Sequence, residues 1–411
     1  MRIAVYGGSF NPPHLGHQAA AAAAVRRLKA DRLLLIPAGI PPHKALAENT
    51  PPAEHRLAMT QYMAERIALD TGVEAEVLRL EIDRAGKSFT VDTLRALRAQ
   101  HPDDELWLLM GSDMFLSFHT WRAPEEILGY AGLCAFSRSR SDESAAFARQ
   151  QRRLRAAYPG ARIKTLTVAD VVEVSSTELR AALPQGGGAA YLDPAVYGYL
   201  LREHLYGTNL DLERLTIEEL RPIAMSYLKA KRRAHVLGTE ATAAALAQRY
   251  GADVEKARVA ALLHDSTKRF SPQEQLALCE RYGIAPDEGE RRAPRLLHAV
   301  TGAALARSVF GADEEICGAI RWHTTGRPGM TLLEKIIYLA DYMEPTRDFD
   351  GVEELRRAVW ADLDGGLLLA FTMSLEETGE NAHHNTVNAR EDLLRRMKDH
   401  GTTAETQQTT E

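Results

Sequence analysis

Two histidines three residues apart, in the run His14-Leu15-Gly16-His17, follow a glycine-bearing turn, Gly7-Gly8-Ser9-Phe10. That spacing puts both imidazoles on one side of a helix's first turn. A helix start offers unpaired N–H groups and the positive end of the macrodipole, and Gly7, Gly8 and Gly16 remove side chains that would hold a phosphate off. The pattern is that of a phosphate site with two imidazoles in it. A second anion-binding run is Ser175-Ser176-Thr177-Glu178-Leu179-Arg180. Ser175 with Glu178 reads as a capping box, while the serine and threonine N–H groups and the Arg180 guanidinium can meet on one phosphate. Further along stand residues of metal-ligand type: His235, His264-Asp265, His298, His323 and Asp341. The tandem His264-Asp265 is the most telling, because it ends the apolar run Ala260-Ala261-Leu262-Leu263. An imidazole and a carboxylate delivered into an apolar interior need a compensating partner, and a metal ion is one.

Elements of two kinds must position these groups. An apolar run through Ile3 and Val5 predicts a strand, and the Ala-rich stretch from Gln18 to Ala24 predicts a helix starting near Leu15. Strands follow at 32–36, 73–82, 106–110, 132–137 and 163–168, with helices over 54–69, 89–100, 124–128, 145–157 and 194–206. This alternation predicts an α/β domain with a mostly parallel sheet, helices on both faces, and ligands at the carboxyl ends of the strands. Beyond the linker at Gly207-Thr208-Asn209-Leu210-Asp211 the period becomes helical throughout, over 217–248, 254–263, 272–282, 296–310, 314–322, 332–342 and 351–375. The chain thus divides into an α/β domain at 1–208, an all-α domain at 209–400 and a polar tail at 401–411 expected to be disordered.

With 411 residues, 45% apolar and 26% charged, the chain is too long for one core and has the composition of a globular protein. No apolar run is long enough to cross a bilayer, and no basic stretch with an apolar core opens the chain, so the expected location is the cytoplasm. Cys134, Cys279 and Cys317 show no close metal spacing and read as free buried thiols of a reducing compartment. A net charge of −6 argues against broad nucleic-acid binding and leaves small phosphorylated substrates open.

The strand, glycine turn and His-x-Gly-His run resemble the nucleotidyltransferase superfamily, and the run from Ser175 to Arg180 resembles its second triphosphate motif. Further matches are Ile36-Pro37, Pro41-Pro42-His43-Lys44, Glu54-His55-Arg56, Ser88-Phe89-Thr90-Val91-Asp92-Thr93, Gly111-Ser112-Asp113 and Trp121. With them, the stretch from Met1 to Tyr206 is similar to bacterial nicotinate-nucleotide adenylyltransferases. The resemblance implies a Rossmann-like fold that binds nicotinate mononucleotide and ATP with Mg²⁺. By it His14, His17 and Arg180 are catalytic, and Gly7, Gly8, Ser9, Phe10, Ser175, Ser176 and Thr177 surround the nucleotide. It also implies that Trp121 stacks on the nicotinate ring, Thr90 lies by its carboxylate, Asp113 contacts a ribose and Lys44 a phosphate. The chain departs from the pattern at Arg122, where an aromatic residue is expected, and at Phe136-Ser137-Arg138, a loose match to an arginine-bearing strand end.

The second half resembles the HD superfamily of metal-dependent phosphohydrolases, whose minimal His…His-Asp…Asp set falls on His235, His264-Asp265 and Asp341. His298 and His323 add two ligands, which implies two metals, iron first and manganese second, bridged by a catalytic Asp265 and holding a hydroxide. Closer matches are Arg233-Ala234-His235, Leu263-His264-Asp265-Ser266-Thr267-Lys268, Arg321-Trp322-His323-Thr324-Thr325-Gly326 and the run from Glu334 to Glu344. These are similar to bacterial HD hydrolases that cut diadenosine tetraphosphate symmetrically into two ADP, which puts Lys268 and Arg347 on the polyphosphate. Asn388-Ala389-Arg390-Glu391 keeps most of a family segment expected to read Ala-Arg-Asn. The implied whole is a bifunctional enzyme acting on small nucleotides, without nucleic-acid or membrane partners and compatible with a homo-oligomer. The alternatives for the second half are another HD phosphohydrolase, acting on a cyclic dinucleotide or a guanosine alarmone, and a non-catalytic metal-binding regulatory module.

Overall fold

The structure, a computed structural model, describes residues 1–41, 46–137, 142–168 and 174–408, and the chain splits into two compact units, Met1–Asn209 and Leu210–Glu411. The first unit begins with β1 (Arg2–Gly8), α1 (Leu15–Leu28), β2 (Arg32–Pro37), α2 (Ala53–Thr71), β3 (Glu74–Val77) and α3 (Thr90–Gln100). It continues through β4 (Glu105–Gly111), α4 (Ser112–Ser117), α5 (Pro124–Tyr130), β5 (Ala131–Ser137), α6 (Asp142–Ala157), β6 (Ile163–Thr167), α7 (Ser176–Ala182) and α8 (Pro194–Arg202). The six strands form one parallel sheet in the order β3-β2-β1-β4-β5-β6. Alternate residues of β1 explain why its strand reads as a continuous apolar run. Ile3 and Val5 join a core with Leu94 and Leu97 of α3 on one face, while Ala4 and Tyr6 join a core with Ala21 and Leu28 of α1 and Ile67 of α2 on the other. Strand order reverses direction between β1 and β4, so a crevice opens at their carboxyl ends.

Two expectations for this unit need correction. The strand expected over 73–82 stops at Val77, because the edge chain then turns, with the Asp83 N–H bonded to the Arg79 carbonyl at 2.9 Å. The helix expected over 194–206 stops at Arg202, because His204 and Tyr206 adopt left-handed conformations with φ of +51° and +56°. The short α4 was not anticipated.

The second unit comprises α9 (Ile217–Ser226), α10 (Ala230–Tyr250), α11 (Val254–Leu263), α12 (Pro272–Arg281), α13 (Glu288–Arg292) and α14 (Leu297–Phe310). After them come α15 (Glu314–Trp322), α16 (Leu332–Met343), α17 (Val352–Ala361), α18 (Leu363–Thr378) and α19 (His384–Gln408), with no strand among the described residues. Two helices expected as single rods are each broken. The 217–248 stretch breaks where Tyr227 and Leu228 turn inward and an extended Lys229 restarts the helix. The 351–375 stretch breaks at Asp362, whose carboxylate accepts the Gly365 N–H at 2.9 Å and caps α18. The helix α19 runs to Gln408, into the tail expected to be disordered. No helix among the described residues is long and apolar enough to cross a membrane. All three cysteines are free and buried.

Candidate active sites

At the end of β1 the chain turns through Phe10, whose φ is +44° and whose ring is fully buried against Tyr6 and His17. His14 then caps α1 in an extended conformation. Its backbone N–H donates to His17 Nδ1 at 3.3 Å, and the two imidazoles lie against each other with their centres 3.7 Å apart and their planes tilted by 38°. A neutral imidazole that accepts at Nδ1 carries its proton on Nε2, so His17 presents an N–H donor to the cleft that it lines.

The second phosphate run is fastened to this turn. Ser176 Oγ donates to the Pro12 carbonyl at 3.1 Å, Arg180 Nη1 donates to the Asn11 carbonyl at 2.7 Å, and Nη2 donates to Thr177 Oγ1 at 3.2 Å. Asn11 is held in turn by the Tyr206 hydroxyl at 2.7 Å and by Thr50 at 2.7 Å. Buried Arg56 donates to the Ser9 and Ala38 carbonyls at 3.1 and 2.7 Å.

The resulting cleft of about 580 Å³ brings together Gly7, Gly8, Ser9, His17, Thr90, Asp113, Trp121, Ser176, Thr177 and Arg180, with His14 against His17. Phe10 and Ser175 are not on its wall: Phe10 packs in the core, and Ser175 is occupied in the capping box with Glu178, at 3.1 and 2.7 Å. Lys44 and Arg138 lie outside the described residues. Phe89, Glu81 and Arg122 also line the cleft. Burial pushes the Glu81 carboxyl up, against a hydrogen bond from Thr93 Oγ1 at 2.8 Å.

In the second unit α10, α11 and α16 pack against one another and α14 packs on α15. That packing carries His235 of α10, His264 and Asp265 after α11, His298 of α14, His323 after α15 and Asp341 of α16 into one buried centre. Three of the imidazoles are oriented alike. Nδ1 of His264, His298 and His323 faces the carbonyl three residues back, of Ala261, Arg295 and Ile320 respectively. A carbonyl only accepts, so each Nδ1 donates and each Nε2 points inward. His298 Nε2 and His323 Nε2 lie 3.1 Å apart. His235 is turned by Glu344, whose Oε1 accepts from Nδ1 at 2.9 Å, and this leaves Nε2 2.8 Å from Asp341 Oδ1.

The electrostatics fit a cation. Burial alone would raise both carboxyls, but His264 and Lys268 hold Asp265 well below the usual range, and the neighbouring His235, His264 and Lys268 do the same for Asp341. Burial lowers His298, and burial with the neighbouring His264 and His298 lowers His323 further. His264, which burial would lower, is pushed up to about 9 by Asp265 and Asp341, although its Nε2 makes no hydrogen bond. Two buried carboxylates thus favour positive charge at this centre, which a metal ion bound by neutral imidazoles would supply. The two oxygens of Asp265 face different imidazoles: Oδ2 is 3.5 Å from His264 Nε2, and Oδ1 is 3.3 and 3.8 Å from those of His298 and His323.

Cations rim the centre. Lys268 Nζ is 3.1 Å from Asp265 Oδ1, Arg347 Nη2 is 2.9 Å from Asp341 Oδ1, and Arg232 donates to Asp265 Oδ2. Arg390 lies apart and donates to Thr372 Oγ1 at 3.2 Å. Another donor group, Asp287 with His383 and His384, is self-satisfied: His383 Nδ1 accepts the Asn385 N–H, so its Nε2 proton is directed at Asp287.

Arg232 and Glu344 escaped the sequence reading, as did the bracing roles of Asn11, Arg56 and Tyr206. Glu344 could have been found, since three residues after Asp341 is the same side of a helix. Asn11 and Tyr206 carry no local signal, because they meet only in the fold.

Residues 5–182 match the cytidylyltransferase-like family and residues 232–346 the HD domain family. The first half is similar to a probable nicotinate-nucleotide adenylyltransferase of Thermus thermophilus, with 38% identity over 50% of this chain and 100% of that protein. A protein of the same description from Salinibacter ruber is 36% identical over 50% of this chain and 98% of its own length. The second half is similar to a symmetrical bis(5'-nucleosyl)-tetraphosphatase of Bacillus subtilis, with 44% identity over 37% of this chain and 81% of that protein.

Proposed function

Because its first half belongs to the nicotinate-nucleotide adenylyltransferase family and its second half to the symmetrical bis(5'-nucleosyl)-tetraphosphatase family, we propose that the chain is a bifunctional enzyme. The first unit transfers AMP from ATP to nicotinate mononucleotide, giving deamido-NAD and pyrophosphate. The second hydrolyses diadenosine tetraphosphate to two ADP. Support for the first activity comes from the fastening of two distant phosphate runs around one cleft. For the second it comes from the convergence of four imidazoles on two carboxylates.

In adenylyl transfer a phosphate oxygen of nicotinate mononucleotide attacks the α-phosphorus, and the bond from that phosphorus to pyrophosphate breaks. No protein nucleophile is required, so catalysis is positioning and charge stabilisation. His17 donates its Nε2 proton in a hydrogen bond to the developing charge, and His14 lies against it. Arg180, Ser176 and Thr177 hold the departing phosphates. Mg²⁺ arriving with ATP supplies neutralising charge. Trp121 and Phe89 flank the nicotinate ring, Thr90 lies by its carboxylate and Asp113 by a ribose.

In the second unit His235, His264, His298, His323, Asp265 and Asp341 would hold two metal ions, iron by preference and manganese next. When bound, such a pair supplies an activated hydroxide and a Lewis acid for the attacked phosphorus. Lys268, Arg347 and Arg232 offset the polyphosphate's charge. The three free buried thiols suit a reducing compartment, and we place the protein in the cytoplasm.

The test is product analysis on purified protein. ATP with nicotinate mononucleotide should give deamido-NAD, and diadenosine tetraphosphate with Fe²⁺ or Mn²⁺ should give ADP alone. AMP with ATP as products, or faster cleavage of a cyclic dinucleotide or a guanosine alarmone, would replace the second assignment.

A further inference from the structure

The cleft of the first unit contains a guanidinium that the proposed reaction leaves without a task. Arg122 lines it beside Phe89, Thr90 and Trp121, and its guanidinium carbon stands 4.6 Å from the centre of the Phe89 ring. Among the described residues it makes no hydrogen bond or ion pair. Glu126, a carboxylate that feels its charge, is bound by Arg95 at 2.6 Å and by Tyr130 at 2.8 Å. Arg180, also on the cleft wall, is engaged by Asn11 and Thr177. The next residue, Ala123, takes a φ of +51°, unfavourable for a residue with a side chain, and Pro124 opens α5 directly after it. Strain of this kind persists where the surrounding fold dictates it, as in ligand clamps.

Arg122 lines the same cleft as Ser176, Thr177, Arg180, Phe89 and Trp121, so a ligand with its phosphates on the first three and its aromatic ring against the last two has that ring beside Arg122. We propose that Arg122 is the specificity-determining residue of this unit, pairing with the ring carboxylate of nicotinate mononucleotide and discriminating against the uncharged amide analogue. The inference rests on the adenylyltransferase reading. A guanidinium offers a carboxylate two parallel N–H donors, and stacking on Phe89 keeps that fork oriented. An amide presents an NH₂ group as one of its two ends, so donor would face donor. The acidic residues on the cleft wall, Glu81 and Asp113, would otherwise repel an anionic ring. Arg122 supplies the charge that admits it.

The experiment compares kcat/KM for nicotinate mononucleotide and nicotinamide mononucleotide in wild type, Arg122→Met and Arg122→Lys, with KM for ATP as the control on fold. Arg122→Met keeps apolar bulk over Phe89 and removes the charge. Its activity on the acid should fall about 10- to 100-fold, in line with a lost charge-assisted pair. On the amide it should stay within about twofold, so that the preference collapses while KM for ATP holds. Arg122→Lys should fall between the two. Equal losses on both substrates would assign Arg122 a packing role and overturn the proposal, as would an unchanged preference in an active Arg122→Met enzyme. A wild-type enzyme with no activity on nicotinate mononucleotide would instead overturn the underlying reading, before any variant is compared.

Discussion

Gly238 lies on α10 one turn after His235, and a methyl group added there would run into Glu344 Oε2 and stand 3.4 Å from the Pro345 ring. Glu344 has no exposed side to retreat to, since it is fully buried. Its Oε1 accepts from His235 Nδ1 at 2.9 Å and from the Thr346 hydroxyl, and Oε2 accepts the Thr346 N–H at 2.7 Å. Gly238→Ala therefore sets two effects against each other. Alanine in a helix interior gains about 1 kcal/mol over glycine, while displacing the carboxylate from His235 forfeits a charge-assisted bond of about 1.5–3 kcal/mol. The second wins, and the variant should lose roughly 0.5–2 kcal/mol of stability. Because Glu344 fixes the tautomer and direction of His235, metal affinity should fall about 10- to 100-fold. Mn²⁺ titration against a competing chelator, with a denaturant midpoint on the same preparation, reads both numbers. An alanine variant that gained stability and bound Mn²⁺ as wild type does would show that Glu344 does not orient His235.

Three further outcomes follow from the two sites. Asp265→Ala should abolish hydrolysis of diadenosine tetraphosphate and lower metal content while adenylyl transfer persists, since His17 and Arg180 belong to a separate unit; parallel loss of both activities in folded protein would refute independence. His17→Ala should lower kcat of adenylyl transfer about 10²- to 10³-fold with little change in ATP binding, because its donor acts on charge that develops in the transition state; unchanged turnover would remove the role. Glu81, whose carboxyl is raised by burial above an ordinary 4.5, binds more protons folded than unfolded between those two values, so its contribution to stability declines as pH rises through the window. Glu81→Gln should lack that decline and gain on wild type above the window, in urea midpoints taken from pH 4 to 7. A difference independent of pH would show that Glu81 does not titrate with the fold.

Much of both sites was legible because the chemistry-bearing residues sit on strongly periodic elements. His14 and His17 fall in the first turn of α1 as spacing predicts, and His264 and Asp265 end an apolar helix in the core. Ser175 shows the limit of motif reading: one capping box and one phosphate motif share it, and the cap takes its hydroxyl. Helix breaks were misread where a single side chain decides, as Asp362 does by capping α18 instead of continuing α17. The bracing of Asn11 by Tyr206 is invisible in sequence because 195 positions separate the partners.

The central place of β1 also has a consequence for synthesis. Its far neighbour β4 pairs Arg2 with Glu105, so a nascent chain carries β1 with one bare edge until 103 more residues emerge. At about 5–20 residues per second that interval lasts roughly 5–20 s. During it, unpaired N–H and C=O groups flank an apolar strand, a template for association between ribosome-bound copies. The phosphate turn receives Ser176 and Arg180 later still, more than 160 residues after Asn11 and Pro12. A message truncated before that point would yield a chain with the sheet largely built and its nucleotide cleft unfinished.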